Sequence, residues 1–417
     1  MSVQLEIVEI PFGNLLETLA DNIGKNGERV IFAGDTQTAV TACIDIARKH
    51  EVKQAVKGKS MFTEEIGLNP ALQAAGIEVT ETDLGEYISQ LADESPSHIV
   101  APAIHKTREQ VGRLFAEKLG IPYTDDPPNL TRTARMALRQ KFLTADMGIS
   151  GCNLACAETG HITTVSNEGN IRMAATMPRI HMAFMGMERV VARLEDYDIL
   201  LRLLTRAAAV QNMATYVSYI GGPRASDQAD GPQEVHLVIV DNGRTRILAD
   251  PDFREMLCCI RCAACLNVCP VYGEIGGHAY GFAYSGPVGA VVTPLLTGIE
   301  ASRDLCKGET LCGACQTACP VNIDLPRMLL ELRWKLANGD SAWQVHRENN
   351  LEKMMYQLWS MIIQNRKLYD FTLSVARFLQ KLFPRQDQMI SRMPPPLNGW
   401  TDRRHMKPLT QTPFPNK

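Results

Sequence analysis

The 417 residues are 45% apolar, 21% charged and 6% aromatic, a globular composition that excludes a disordered, collagen-like or membrane-embedded chain. Forty-three Lys and Arg stand against 46 Asp and Glu, a net charge of -3, so there is neither a basic nucleic-acid footprint nor an acidic solvating tail. Met1 to Ile10 lacks the basic-then-apolar order of a signal peptide, and no run approaches the roughly 18 apolar residues of a membrane span. A cytoplasmic protein is expected.

In chain order, residues 1–28 read as an N-terminal helical segment. From 29 to 245, short β-branched runs alternate with amphipathic stretches. Val30 to Gly34 predicts a strand, and Asp35 to His50 a helix capped by Asp35 or Thr36. Glu78 to Thr80 and His98 to Ala101 predict further strands, and Lys106 to Leu119 a helix closed by Gly120. This alternation implies an α/β domain with a mostly parallel sheet. Thr163 to Val165 and Ile180 to Met185 flank a turn signal, Asn167 to Asn170, so antiparallel strands are expected there. Gly221 to Pro232 is a polar boundary, followed by one more strand of the first domain, Glu234 to Val240.

A cysteine-rich module occupies 250–325, a helical region 326–390, and, after the break at Pro394 to Pro396, an extended tail 391–417. Ile275 to Ile299 is nearly free of charge, but its glycines with Pro287 and Pro294 predict a buried loop and short helix around metal rather than a span.

Of the twelve cysteines, Cys43, Cys152 and Cys156 are scattered and read as buried apolar residues. The others fall between Cys258 and Cys319. Cys259, Cys262, Cys265, Cys269 and Pro270 form a C-x2-C-x2-C-x3-C-P run, whose first three thiolates wrap one cubane while the fourth reaches a neighbouring cluster. Cys312, Cys315, Cys319 and Pro320 supply a second, irregular half. The regular spacing would place a cysteine at 309, where this chain has Glu309. The expected ligation is Cys259, Cys262, Cys265 and Cys319 on one 4Fe-4S cluster, and Cys269, Cys312 and Cys315 with Cys306 on the other. Alternatives for the last position are Cys258, which lies just outside the first run, a three-iron cluster, iron held by Glu309 or solvent, and Cys306 as an ordinary buried residue. Such clusters move single electrons, and no G-x-G-x-x-G, P-loop or C-x-x-C-H motif supplies a second redox group. One subunit of a redox complex is therefore expected, carrying electrons rather than performing the chemical step.

The run Cys259 to Tyr272, with Gly276 to Gly281, Ser285 to Ala290, Thr293 to Leu296 and Leu311 to Cys315, resembles the lactate-utilisation iron-sulfur protein family. Thr63 to Asn69, Thr82 to Tyr87, Ile99 to Lys106, Asp146 to Gly151, Ala157 to Gly160, Asn167 to Asn170 and Gly399 to Arg403 are similar to the rest of that family, including its LUD domain. The resemblance implies a LUD domain of the sugar-isomerase and CoA-transferase-like α/β type, followed by an α-helical ferredoxin-type iron-sulfur domain. It implies an electron-transfer subunit of a complex oxidising L-lactate to pyruvate, partnered by a cysteine-rich CCG-domain subunit and a second LUD-domain subunit. Membrane association, if any, would be peripheral and made through those partners at the inner face. Three departures stand out: a longer N-terminal extension in the family, a cysteine at 306, and Cys156 and His161 in the LUD core. Other readings are an iron-sulfur subunit for another hydroxyacid or heterodisulfide-reductase-like complex, and a redox-sensing LUD ligand-binding protein.

Should the LUD domain bind a carboxylate, Arg172 or Arg179 would clamp it and His181 or Glu158 move a proton. A turn at Glu168 and a satisfied core histidine at His181 are the plainer expectations.

Overall fold

Strands β1 (Arg29–Ala33), β2 (Gln54–Lys57), β3 (Glu78–Glu81), β4 (Met147–Gly151), β7 (Ile180–Gly186) and β10 (Glu234–Val240) form an all-parallel sheet in the order β1-β10-β7-β4-β2-β3. The computed structural model describes residues 12–346, 350–395 and 397–410. The reading of Met1 to Ile10 as lacking a signal-peptide pattern falls on residues outside that set.

The central strands read as continuous apolar runs because helices cover both sheet faces. Every residue of β7 is buried. Met182 and Phe184 face one core with Val40, Cys43 and Leu72, while Ala183 and Met185 face another with Leu15, Leu19 and Ile23 of the helix Phe12–Lys25. This is the two-residue alternation of a pleated strand. Asp35 caps the helix Thr36–Lys49 by accepting the Thr38 N–H, and Gly120 closes the helix Arg108–Leu119 at φ 67°, both as the sequence predicts.

Two expectations are corrected. Residues 98–101 form a turn, not a strand. The His98 ring accepts the N–H groups of Val100 and Ala101 at 3.1 and 3.0 Å, and Ile99 leaves the sheet to enter the core around the cysteine loops. The Thr163 and Ile180 runs do not pair with each other. The helix Asn170–Thr176 separates them. β6 (Ile162–Ser166) instead pairs antiparallel with β5 (Leu154–Cys156) and β9 (Tyr216–Ile220), and β8 (Val190–Val191) completes this smaller sheet beside β5.

The cysteine loops surround one apolar core with the helices Gly286–Thr297 and Leu325–Asn338. Val288, Val291, Val292 and Leu295 pack with Met328, Leu329, Leu332 and Leu336, so the uncharged stretch is a buried helix. Residues up to His346 are one compact unit, and a second begins at Arg347. Within the second, Asn365 caps the helix Arg366–Leu379 after the helix Asn350–Gln364. A hairpin pairs Arg385–Gln386 with Met389–Ile390. The tail includes a 3-10 turn, Leu397–Trp400, and a bridge from Ile390 to Met406, so the expected extended tail is only partly extended among the described residues.

Candidate functional site

The two cysteine loops repeat one backbone shape. Arg261 and Ala263 flank Cys262 with φ of 61° and 62°, and Leu311 and Gly313 flank Cys312 with 57° and 81°. A left-handed non-glycine residue is uncommon, so its recurrence at matched places marks the same tight wrap. Short helices Ala264–Asn267 and Ala314–Ala318 follow. A cysteine before proline follows each helix, and the Cys269 and Cys319 sulfurs accept N–H groups from Tyr272 and Ile323, each at 3.4 Å. In this register Cys265 corresponds to Cys315, and Cys259 to Glu309.

Among the described residues no three Cys, His, Asp or Glu side chains meet closely enough to hold a single metal ion, but several of the thiols are near enough to influence one another's ionisation. Burial pushes the Cys262 thiol up to about 11, and the charges of Cys259 and Cys319 add to the effect. Burial likewise raises Cys265, where Cys259, Cys262 and Cys315 contribute. Cys315 is pushed to about 11 by burial, with Glu309 and Cys269 adding. Cys312 is exposed and held below the ordinary thiol range by the Ala314 N–H. Cys262, Cys265 and Cys315 thus resist ionisation chiefly through burial, a cost that a cationic iron core would offset by taking up thiolate charge.

Cys306 stands apart from the other expected ligands. It is fully buried in the apolar core, and its thiol donates to the Ser302 carbonyl at 3.6 Å. Glu309 occupies the space by the second set instead. Its Oε2 accepts from the Cys269 thiol at 3.4 Å, and its Oε1 accepts from the Tyr280 hydroxyl at 2.9 Å. Cys258 is half-buried, and burial pushes its thiol up to about 11.

The first loop also roofs a crevice of about 330 Å³ at the carboxyl ends of β2, β4 and β7, whose walls include Lys59, Asp83, Glu168, Arg189, Arg261 and Tyr284. Arg261 stacks its guanidinium on the Tyr284 ring at 4.0 Å. Behind it, Arg244 grips Glu65 with two nitrogens at 2.9 and 2.8 Å and Glu188 at 2.6 Å. Tyr284 donates to Glu65 at 2.6 Å. Burial opposes charge on Glu65, but Arg244 overrides it and holds the carboxyl below its ordinary range.

The acid-base candidates of the sequence do not converge. Glu158 accepts the Leu194 N–H at the surface. Arg172 is exposed on its helix, and Arg179 binds the His50 carbonyl. His181 lies fully buried in the sheet against Ser150 at 2.9 Å, where burial and then His236 depress it to about 4. The arginines and glutamates around Arg261 carried no motif of their own. The one available signal was Arg261, the single charged side chain among the spacers of the cysteine run Cys259 to Cys269.

A LUD domain model matches residues 16–240, and a 4Fe-4S dicluster domain model matches residues 255–323. Lactate utilization protein B of Bacillus licheniformis is 44% identical over 403 residues, covering 96% of this chain and 82% of that protein. The chain belongs to the lactate utilization protein B family. The Shouchella clausii member is 47% identical over 393 residues, covering 94% and 81%. Among solved structures, a duf162 family protein from Deinococcus radiodurans aligns with 55% of this chain at 14% identity and a TM-score of 0.31, too low to bear on the fold. In this family member the parallel-sheet region is thus the LUD domain and the helical cysteine region the 4Fe-4S dicluster domain. Among the described residues no helix is long and apolar enough to cross a membrane.

Proposed function

We propose that the chain is the iron-sulfur electron-transfer subunit of a cytoplasmic complex that oxidises L-lactate to pyruvate. A cysteine-rich CCG-domain subunit and a second LUD-domain subunit would be its partners, and any membrane contact would be made through them. The observation that carries this reading is the pair of equivalent loops, whose thiols Cys265 and Cys315 are close enough to act on each other. Lactate utilization protein B is the name borne by relatives over nearly the whole chain.

Two 4Fe-4S clusters, when bound, supply single-electron acceptance and release. Cys259, Cys262, Cys265 and Cys319 would hold the first, and Cys269, Cys312 and Cys315 the second. The expected fourth ligand, Cys306, is replaced in this proposal by Glu309, which stands in the register of Cys259 and against Cys269. The buried helix Gly286–Thr297 shares one apolar core with Ala263, Leu266 and Cys315 of the loops, an arrangement that would limit water at the clusters.

The test is anaerobic EPR of the reconstituted three-subunit complex. Lactate should reduce clusters in this chain only when the partners are present. A complex that oxidises lactate at full rate without this chain would reject the proposal.

A further inference from the structure

We propose that the crevice beneath the first cysteine loop binds a small organic carboxylate of the 2-hydroxy or 2-oxo acid class, seated on Arg261 and Arg189. This rests on the lactate reading and gives it a place in this chain.

Topology supplies the first argument. From β2 the chain runs outward to β3, whereas from β4 it runs the other way to β7 and β10. The β2/β4 boundary is therefore the point where the direction of winding reverses. Open α/β sheets bind ligands outside the carboxyl ends of their strands at such a point. Lys59 and Ser60 after β2, and Gly151 at the end of β4 with Cys152 after it, line the crevice there.

Charge supplies the second. The buried network at the roof holds three guanidinium groups, Arg189, Arg244 and Arg261, and two carboxylates, Glu65 and Glu188. Glu188 is shared, 2.6 Å from Arg244, 3.7 Å from Arg189 and 3.9 Å from Arg261. Three guanidinium groups against two carboxylates leave the network one net positive charge, and Glu188, closest to Arg244, only partly offsets Arg189 and Arg261. The Nη1 of Arg261 is buried and has no hydrogen-bond partner among the described residues. A buried donor without an acceptor calls for one, and a carboxylate meets a guanidinium with both charge and geometry.

The far wall has the opposite character. Lys59 is tied to Asp83 at 3.4 Å, and Glu168 accepts the Leu84 N–H at 3.2 Å. These carboxylates can accept a hydrogen bond from the hydroxyl of a 2-hydroxy acid. At about 330 Å³ the space lies at the small end of ligand pockets and admits a small acid. Arg261 is also within the electrostatic reach of Cys259, so the anion and the first ligand set share one guanidinium.

The experiment is equilibrium dialysis of cluster-loaded protein, under anaerobic conditions, against labelled lactate and pyruvate, beside Arg261→Gln and Ala208→Phe. The second variant fills the crevice from the helix Leu194–Ala209 without altering charge. EPR of each sample establishes that its clusters are intact and reads whether the first cluster's signal changes on binding. One saturable site in the wild type is expected, with affinity about tenfold weaker in Arg261→Gln and lost in Ala208→Phe. The wild-type signal should shift with the acid. Absence of binding at millimolar acid, equal competition by chloride or sulfate, or unchanged affinity in both variants would overturn the proposal. Absence of binding here, with lactate still reducing the clusters in the full complex, would leave the electron-transfer reading standing and remove only this site.

Discussion

The Oε2 of Glu309 lies 3.4 Å from the Sγ of Cys269, and the other carboxylate oxygen is held by the Tyr280 hydroxyl at 2.9 Å. The side chain is thereby fixed beside the second set of thiols, at the place where the first loop has Cys259. If Glu309 completes that set, Cys306→Ser should retain about eight irons per chain and wild-type EPR spectra. Glu309→Ala should lose iron or convert one cluster to a three-iron form, and Glu309→Cys should restore a full complement. Iron and sulfide analysis with EPR decides between them. Loss of a cluster in Cys306→Ser alone would return the position to Cys306.

The Arg244–Glu65 pair is buried on both sides, at 1% and 0% side-chain exposure. Removing one partner of a buried pair leaves the other charge without compensation and typically costs about 3–5 kcal/mol. Glu65→Gln should therefore lower stability by that order in urea denaturation. Arg244→Lys should not rescue the wild-type value, because an ammonium cannot make the two-pronged contact and reach Glu188 as well. An Arg244→Lys variant as stable as wild type would show that charge alone suffices.

Local rules made much of the fold legible. Asp35 and Gly120 punctuate their helices through short-range chemistry, and the runs of β7 and β10 announce strands, though not that β7 lies in the parallel sheet. Strand partnership was not legible, because β6 and β7 are both β-rich and only long-range packing sends one to each sheet. His98 to Ala101 has strand-like residues, but the His98 ring captures its own backbone and Ile99 is drawn into the cluster core. The cysteine spacing announced the metal chemistry. The crevice was hidden because its parts, Lys59, Glu188, Arg189, Arg261 and Tyr284, are spread along the chain and carry no shared motif.

Gly277 joins the two domains through a backbone approach that tolerates no side chain. A Cβ there would stand 1.7 Å from the Ser97 carbonyl oxygen, the same oxygen that accepts from the Tyr272 hydroxyl at 3.0 Å. Gly277→Ala should force these segments apart at a cost of about 1–3 kcal/mol. Gly273→Ala, four residues earlier in a short helix, meets nothing within 4 Å and should be neutral or stabilising by up to about 1 kcal/mol. Thermal unfolding of the two variants beside wild type tests the contrast. Equal effects would mean that the Ser97 contact yields without cost.

Glu28 is buried at 4% exposure, and neither of its carboxylate oxygens has a hydrogen-bond partner among the described residues. Burial pushes its carboxyl from 4.5 up to about 8. Between those values the folded chain keeps a proton that the unfolded chain releases, so the protonated side chain favours folding at low pH. Its contribution is full below about pH 4.5 and is lost as pH rises through about 8, at up to about 1.4 kcal/mol per pH unit. Glu28→Gln keeps the shape and removes the titration. The variant and wild type should therefore be nearly equally stable at pH 5, whereas at pH 8 the variant should be the more stable. Urea midpoints measured across this range would diverge with rising pH, and curves that stay parallel would mean that Glu28 gains a compensating partner once it ionises.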